Sequence, residues 1–254
     1  MPAKIDSLLT NDDGIHADGI EALIVGLDDL IDPLVVAPLC EKSGASSSIT
    51  LGRDIHLVEK GDQLFAFDGT PVDCVAFALR NLVREKPALC ISGINLGENL
   101  GNDTICSGTV GGALAAAAEG IPAIAISMQG RKGPFHFTSA IKVLRKIIVN
   151  HERIFTKLGT VALNINIPNK PFENIRGIKL CQLGQRVWSE EFLPGEEPGS
   201  FRYNHADPIN FGGIGKDVTE LADGFVTVSV LRPSLECQSG RESLANDFSN
   251  WFKI

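Results

Sequence analysis

The sequence has few of the residues that hold transition metals or form disulfide frameworks. Its 254 residues include five histidines, none with metal-ligand spacing to another, and six cysteines with no Cys-x-x-Cys pair. These absences argue against a zinc site and against a disulfide-stapled fold. Several cysteines stand inside apolar runs, as Cys90 does, so we expect reduced core cysteines and a cytoplasmic protein.

Positive charge is also scarce, with 23 Lys and Arg against 31 Asp and Glu and a net charge of −8. This balance argues against a broad surface for duplex nucleic acid or acidic lipid, although a local basic pocket for a small phosphate ester remains compatible with it. The N-terminus lacks the apolar core of a signal peptide. Residues 110–128 approach the length of a membrane span, but Glu119, Gly120 and Pro122 interrupt them, so we expect helix, turn and strand and no membrane segment.

Several well-known catalytic motifs are missing. The sequence has no Gly-x-Gly-x-x-Gly after a strand, no Walker A lysine motif and no Gly-x-Ser-x-Gly elbow. Asp68-Gly69-Thr70 matches the end of the Asp-x-Asp-Gly-Thr motif of haloacid-dehalogenase phosphatases, but Ala66 stands at the position of the nucleophile. That mechanism is therefore excluded at this site.

What the chain does contain is a regular alternation of short apolar runs and helical patterns, which is typical of a parallel sheet with crossover helices. We predict an α/β protein with a three-layer, Rossmann-like, mostly parallel sheet. A hairpin joined at Gly61-Asp62 is expected at the sheet edge, with an extra strand at 48–51 beside it. We assign 1–170 to an α/β catalytic core, and 171–254 of the same unit to strands, an extended arm (189–216) and a terminal helix (243–252). The predicted strands cover 5–10, 34–38, 88–94, 123–128, 161–167, 177–182 and 225–231, and the predicted helices 19–30, 72–84, 109–119 and 138–151.

Two adjacent carboxylates follow the first strand, in Asn11-Asp12-Asp13-Gly14. Ligands of open parallel sheets bind beyond the carboxyl ends of the strands, and neighbouring carboxylates repel each other unless a cation lies between them. A hard divalent ion would relieve this repulsion. The alternative is an ordinary loop in which Asp12 and Asp13 cap a helix and Gly14 has a positive φ.

Later loops supply further oxygen atoms and an anion site. Lys42 and Ser43 follow the second strand, and a glycine-rich loop carries Asn95 and Asn99. Ser107-Gly108-Thr109 then opens an alanine-rich helix, whose free N–H groups suit a phosphate, although a plain N-cap explains the hydroxyls as well. Oxygen-only donors favour Mg²⁺ or Mn²⁺, and together the loops indicate a metal-dependent phosphatase.

The order of these motifs resembles the SurE family of survival proteins, which are 5′/3′-nucleotidases. The matching segments cover most of residues 5–128: 10–15, 36–38, 43–46, 69–74, 92–97 and 107–110. The resemblance implies one Mg²⁺ or Mn²⁺ per subunit, held by Asp12, Asp13, Ser43 and Asn95. It also implies a substrate phosphate near Asn11 and Ser107-Gly108-Thr109, and a homodimer or homotetramer with exchanged C-terminal arms. Four positions depart from the family pattern: Leu39, Lys42, Glu98 and, in the C-terminal part, Lys216 before Asp217.

We therefore predict a metal-dependent phosphomonoesterase that hydrolyses nucleoside 5′- and 3′-monophosphates. Asp12 or Asp13 is expected to act as general base, and Lys42 and Asn99 complete the predicted phosphate contacts. A lysine at 42 keeps the charge of the usual arginine but loses its bidentate geometry. His16 lies nearby and is a weaker candidate. The alternatives are a phosphatase of another small ester, such as a sugar phosphate or short polyphosphate, and a non-catalytic nucleotide-binding or phosphate-binding protein.

Overall fold

The computed structural model describes residues 4–188, 190–205 and 208–236. Nine strands form one sheet in the order β3-β4-β2-β1-β5-β6-β7-β13-β8, and its pairs from β4 to β7 are parallel. The strands of this sheet are β1 Ile5–Thr10, β2 Ile31–Pro38, β3 Leu57–Gly61, β4 Leu64–Phe67, β5 Leu89–Leu96, β6 Ala123–Met128, β7 Ala162–Ile167, β8 Ile178–Leu180 and β13 Val226–Leu231. The α-helices are α1 Asp18–Gly26, α2 Pro71–Phe77, α3 Gly108–Ala118, α4 Phe137–Ile148, α5 His151–Leu158 and α6 Asp217–Ala222.

Two apolar layers cover the sheet, one on each face. Residues of α1, α4 and α5 pack on one face, and residues of α2 and α3 pack on the other. Every residue of β6 and of β7 is buried, as expected for parallel strands with helices on both sides. The predicted three-layer, Rossmann-like α/β fold is confirmed. Strands β13 and β8, from the C-terminal part of the chain, extend the same sheet.

The hairpin prediction is confirmed in part. Strands β3 and β4 pair antiparallel, and β3 is the edge strand. The strand expected at 48–51 is wrong, because side chains near the start of α2 bind its polar groups. The backbone N–H of Thr50 donates to the Asp73 carboxylate, and the Thr70 hydroxyl donates to the Ser48 carbonyl at 2.7 Å.

The expected arm at 189–216 contains short paired strands. Strand β10 (Glu190–Pro194) forms a hairpin with β11 (Phe201–His205), and β12 (Ile209–Phe211) pairs with β9 (Gln185–Val187). The β10–β11 hairpin exposes Phe192 and Phe201 to solvent. The terminal helix expected at 243–252 lies outside the described residues.

The cysteines differ in burial more than the sequence indicated. Cys74 and Cys90 are buried and unbonded, as expected, whereas Cys40 and Cys106 are exposed on loops, so the core assignment was wrong for these two. Residues 110–128 form α3, a turn and β6, as predicted. Within the described ranges, no helix combines the length and the apolar character that a membrane crossing requires.

Candidate metal and phosphate site

The two adjacent aspartates lie at the carboxyl end of β1, in a turn that a glycine closes. Gly14 has φ +101°, and a Cβ there would lie 3.3 Å from the carbonyl carbon of Cys40. The Asn11 amide closes the turn from the other side, since it donates to the Gly14 carbonyl at 2.7 Å and accepts from the Gly14 N–H. Helix α1 begins after Ala17 without a side-chain cap, so neither aspartate caps it. The capping alternative is therefore wrong.

Burial makes these carboxylates hard to ionise. Asp12 is 3% exposed, and its burial raises its pKa even though Thr109 donates a hydrogen bond to it. Burial and the charge of Asp12 raise the pKa of Asp13 to about 7. In the part of the chain that the structure describes, neither aspartate forms a salt bridge with a lysine, arginine or histidine. The pair therefore has a strong electrostatic need for a proton or a cation.

The loop after β2 touches the aspartates through its backbone. The Lys42 N–H donates to the Asp12 carbonyl at 2.7 Å, while the Lys42 ammonium contributes to lowering the pKa of Asp68. The Ser43 hydroxyl donates to Glu41 at 2.7 Å. Glu41 itself adds a like charge that raises the pKa of both aspartates. The sequence analysis missed Glu41, although an acidic residue two positions before Ser43 was a visible signal.

Strand β5 brings Asn95 to the same place. The N–H of Leu96 approaches Asp13 Oδ2 at 3.4 Å, which puts the end of β5 beside the carboxylate. The Asn95 side chain donates its N–H to the Gly97 carbonyl at 2.6 Å. Its amide oxygen is therefore the atom left for a cation. The structure thus brings Asp12, Asp13 and Asn95 together, with Ser43 on the adjoining loop.

The first turn of α3 packs directly on Asp12. A Cβ at Gly108 would lie 2.9 Å from Asp12 Oδ2, so only glycine permits this approach. The Thr109 hydroxyl donates to Asp12 Oδ1 at 2.5 Å. The Ser107 side chain accepts from the Val110 N–H at 3.1 Å, so the N-cap alternative is correct for its hydroxyl. The helix terminus still presents its positive end at this edge of the sheet.

Asn99 is held by strands rather than left open to solvent. Its side chain donates to the Ser127 hydroxyl at 2.8 Å, and its carbonyl accepts from the amides of Asn164 and Asn166. The Asn166 side chain also accepts from the Asn99 N–H. Asn164 and Asn166 were not predicted as site residues, although two polar residues on one face of an otherwise apolar strand were a signal.

A second charged cluster lies beside the first, at the carboxyl end of β5. Arg186 is 5% exposed and binds Glu98 at 3.0 Å and Asp103 at 2.9 Å. The Trp188 indole N–H donates to Asp103 at 2.8 Å. Arg131 lies over the Trp188 ring, with its guanidinium carbon 5.6 Å from the ring centroid.

The donor atoms at the first cluster are all oxygens, which suit Mg²⁺ or Mn²⁺ better than zinc. Within the described ranges, no three residues of the types His, Cys, Asp and Glu are placed to hold a metal together. A cation there would therefore depend on amide or hydroxyl oxygens in addition to the two aspartates. This donor set fits the ion that the sequence predicts.

The fold and these loops define a three-layer α/β protein with an oxygen-donor site at the carboxyl edge of a parallel sheet. A family model described as "Survival protein SurE" matches residues 7–190. The chain belongs to the SurE family, and the resemblance read from the motifs is confirmed.

Individual relatives cover nearly the whole chain. A 5′-nucleotidase SurE from Pseudomonas syringae pv. syringae is 38% identical over 93% of this chain and 96% of its own length. One from Vibrio campbellii is 37% identical over 97% of this chain and 94% of its own. The crystal structure of the SurE protein from Aquifex aeolicus has a TM-score of 0.80 and 33% identity, covering 97% of this chain and 99% of that one.

Proposed function

We propose that the protein is a divalent-metal-dependent 5′-nucleotidase that also hydrolyses nucleoside 3′-monophosphates. The observation that carries the proposal is the pair of buried Asp12 and half-buried Asp13, which no positive side chain of the described residues neutralises; Asp12 lies against the first turn of α3. The names of the full-length relatives, 5′-nucleotidase SurE, support the same activity.

One Mg²⁺ or Mn²⁺ per subunit would be held by Asp12, Asp13, Asn95 and Ser43. For Ser43, this requires its hydroxyl to leave Glu41, which is an exposed contact. When bound, such an ion polarises a phosphoryl oxygen and increases the acidity of water.

The protein's own side chains supply orientation and proton transfer. Thr109 fixes the Asp12 carboxylate through its hydrogen bond, so this carboxylate keeps one direction during turnover. We assign the role of general base to Asp13, the more exposed of the two aspartates, whose carboxylate would accept a proton from an attacking water. The first turn of α3 favours a dianionic phosphate through its N–H groups and helix dipole. We assign the phosphate contacts to Asn11, Lys42, Asn99, Ser107, Gly108 and Thr109.

The experiment is a phosphate-release assay on nucleoside 5′- and 3′-monophosphates, ribose 5-phosphate and tripolyphosphate, each with Mg²⁺, with Mn²⁺ and with a chelator. We expect both nucleotide classes to be hydrolysed with metal and neither with chelator. Nucleotide binding without phosphate release would identify a binding protein instead. If phosphate were released faster from tripolyphosphate or ribose 5-phosphate than from the nucleotides, one of these alternative compounds would be the better substrate.

We also propose a cytoplasmic homodimer or homotetramer, which the exposed apolar side chains of β10 and β11 favour. The assignment of 1–170 as the catalytic core and 171–254 as the arm-bearing part belongs to the same proposal. The shared sheet supports treating both parts as one unit.

A further inference from the structure

We propose that Arg131 and Trp188 form the nucleoside-binding wall of this site, with the Arg131 guanidinium stacking on the base of the substrate. This proposal rests on the proposed function, because it names the part of the nucleotide that these two residues recognise. It predicts a preference for nucleotides over phosphate esters that lack a base.

The first argument is position. Arg131 follows β6, the strand next to β5, and Asn95 of β5 is paired with Ser127 of β6. Built on Gly97, a Cβ would lie 3.5 Å from the Arg131 Nε and 3.8 Å from the Asn95 side-chain nitrogen. Arg131 and the predicted metal ligand Asn95 therefore both lie against Gly97. Neighbouring strands are about 4.8 Å apart. The distance from a phosphate bound at the ends of β1 and β5 to the loop after β6 is therefore roughly the length of a ribose.

The second argument is the local geometry of Gly97. This residue has φ +125°, a conformation that favours glycine, and a Cβ built on it would lie 3.5 Å from the Arg131 Cγ, an ordinary van der Waals contact. The Arg131 side chain therefore packs against the Gly97 backbone, next to the site.

The third argument is the support beneath the arginine. The Trp188 ring lies 5.6 Å from the Arg131 guanidinium carbon and 5.1 Å from that of Arg186. A guanidinium laid on an aromatic ring keeps a planar face for a second flat group, and nucleobases are flat. Because the Trp188 indole N–H is fixed on Asp103 and Arg186 is 5% exposed, the ring has a defined orientation.

Glu98 connects the wall to the loop after β5. Its carboxylate accepts from the Gly130 N–H at 3.0 Å, one residue before Arg131, and also binds Arg186 at 3.0 Å. It is therefore a positioning residue for both halves of the wall. The glutamate at 98, a departure from the family pattern noted in the sequence, has a structural use here.

Both position and chemistry favour the base, and not the phosphate, as the partner of Arg131. The predicted phosphate contacts lie at the start of α3, which packs on Asp12, whereas Arg131 lies beside Asn95 on the β6 side. A guanidinium stacked on an aromatic ring is also a known platform for nucleic-acid bases, each of which presents a π-face. Such stacking tolerates different bases, so we expect little discrimination between purines.

The experiment compares adenosine 5′-monophosphate with ribose 5-phosphate, which has the same phosphoryl group and no base. The variants are Arg131→Ala, Trp188→Ala, Arg131→Lys and Trp188→Phe. The matched control is Arg176→Ala, since Arg176 also lies over an aromatic ring, with its guanidinium carbon 4.6 Å from the Phe225 ring centroid, next to edge strand β8.

We expect Arg131→Ala and Trp188→Ala to raise KM for adenosine 5′-monophosphate about tenfold with kcat nearly unchanged, the lower end of what base stacking contributes. Their kcat/KM for ribose 5-phosphate should stay within about twofold of the original, as that sugar phosphate has no base to stack. Trp188→Phe should retain the preference for the nucleotide. Arg131→Lys should lose this preference, because an ammonium has no planar face. Arg176→Ala should leave the kinetic constants for both substrates unchanged.

Equal losses for both substrates would overturn the proposal, because Arg131 would then act on the phosphate. Unchanged kinetics in both alanine variants would overturn it as well. If the original protein releases no phosphate, the proposed function fails but the wall remains testable by calorimetric binding of the same two compounds. About tenfold tighter binding of the nucleotide, lost in Arg131→Ala, would then support the wall.

Discussion

Two pairs of carboxylates lie near each other at the same edge of the sheet, and within the described residues only one of them is paired with an arginine. The bridged pair, Glu98 and Asp103, shares Arg186 at 3.0 and 2.9 Å. The acidic pair, Asp12 and Asp13, has no such partner among the described residues, and burial raises the pKa of both. The bridged pair is therefore neutralised by the protein itself, whereas the acidic pair leaves a charge that a cation from solution would neutralise.

Removing one member of the acidic pair should have the largest effect. We expect Asp12→Asn to lower kcat on the order of 10³-fold, because a metal-polarised phosphoryl group is worth several kcal/mol and each 1.4 kcal/mol is tenfold. Calorimetry should also show weaker Mn²⁺ binding. Asp28→Asn is the control, since Asp28 also adjoins a second aspartate but is exposed. Near-normal turnover of Asp12→Asn would contradict the assignment.

Breaking the bridged pair should affect stability. We expect Arg186→Met to reduce the free energy of unfolding by about 3–5 kcal/mol, because two carboxylates then lose their buried partner. The triple change of Arg186→Met with Glu98→Gln and Asp103→Asn should recover most of this loss, since no unpaired charge remains. Urea denaturation measures both. A loss below about 1 kcal/mol in the single variant would mean that the bridge is well solvated.

The last comparison concerns pH in the absence of metal. Asp13 has a folded-state pKa of about 7 against an ordinary value of 3.8, so the folded chain holds a proton that the unfolded chain has lost. Stability of the metal-free protein should therefore fall as pH rises from about 4 to about 7, with Tm changing by roughly 2–4 °C per kcal/mol. Thermal melts in chelator measure this decline.

Asp13→Asn serves as the control for the pH experiment. The decline should become shallower in this variant, because asparagine does not titrate and Asp12 then lacks the neighbouring charge. Saturating Mn²⁺ should oppose the decline in the unmodified protein, since the ion prefers the ionised carboxylates. An unchanged slope in Asp13→Asn would show that another group controls the pH dependence.

The sequence predicted the parallel sheet well because its signals are local. Strands β1 and β6 begin and end at the predicted residues, as each is a short apolar run followed by polar loop residues. The strand expected at 48–51 failed for the opposite reason. Asp73 and Thr70, more than twenty residues away, bind its polar groups, and no local pattern reveals that competition.

The same distinction applies to the site. Parallel strands end at one edge, so the proximity of Asp13 to the end of β5 followed from topology. The directions in which individual side chains point did not follow from topology. Asn99 appears in the sequence as a loop residue open to ligand, but its bonds to Asn166 and Ser127 depend on how β6 and β7 align beneath it. Glu41 stands two positions from Ser43 and could have been found locally, whereas Arg186 is more than eighty residues from Glu98 and Asp103, so its role depends on the fold.

The anchoring of Asn99 also bears on the entropy of substrate binding. Its backbone and side chain together engage Ser127, Asn164 and Asn166, so the loop after β5 is tied at this residue to β6 and β7. The conformational freedom of this loop is lost once, during folding, and not at every encounter with a ligand. A ligand at the carboxyl end of β5 would therefore meet a preorganised surface.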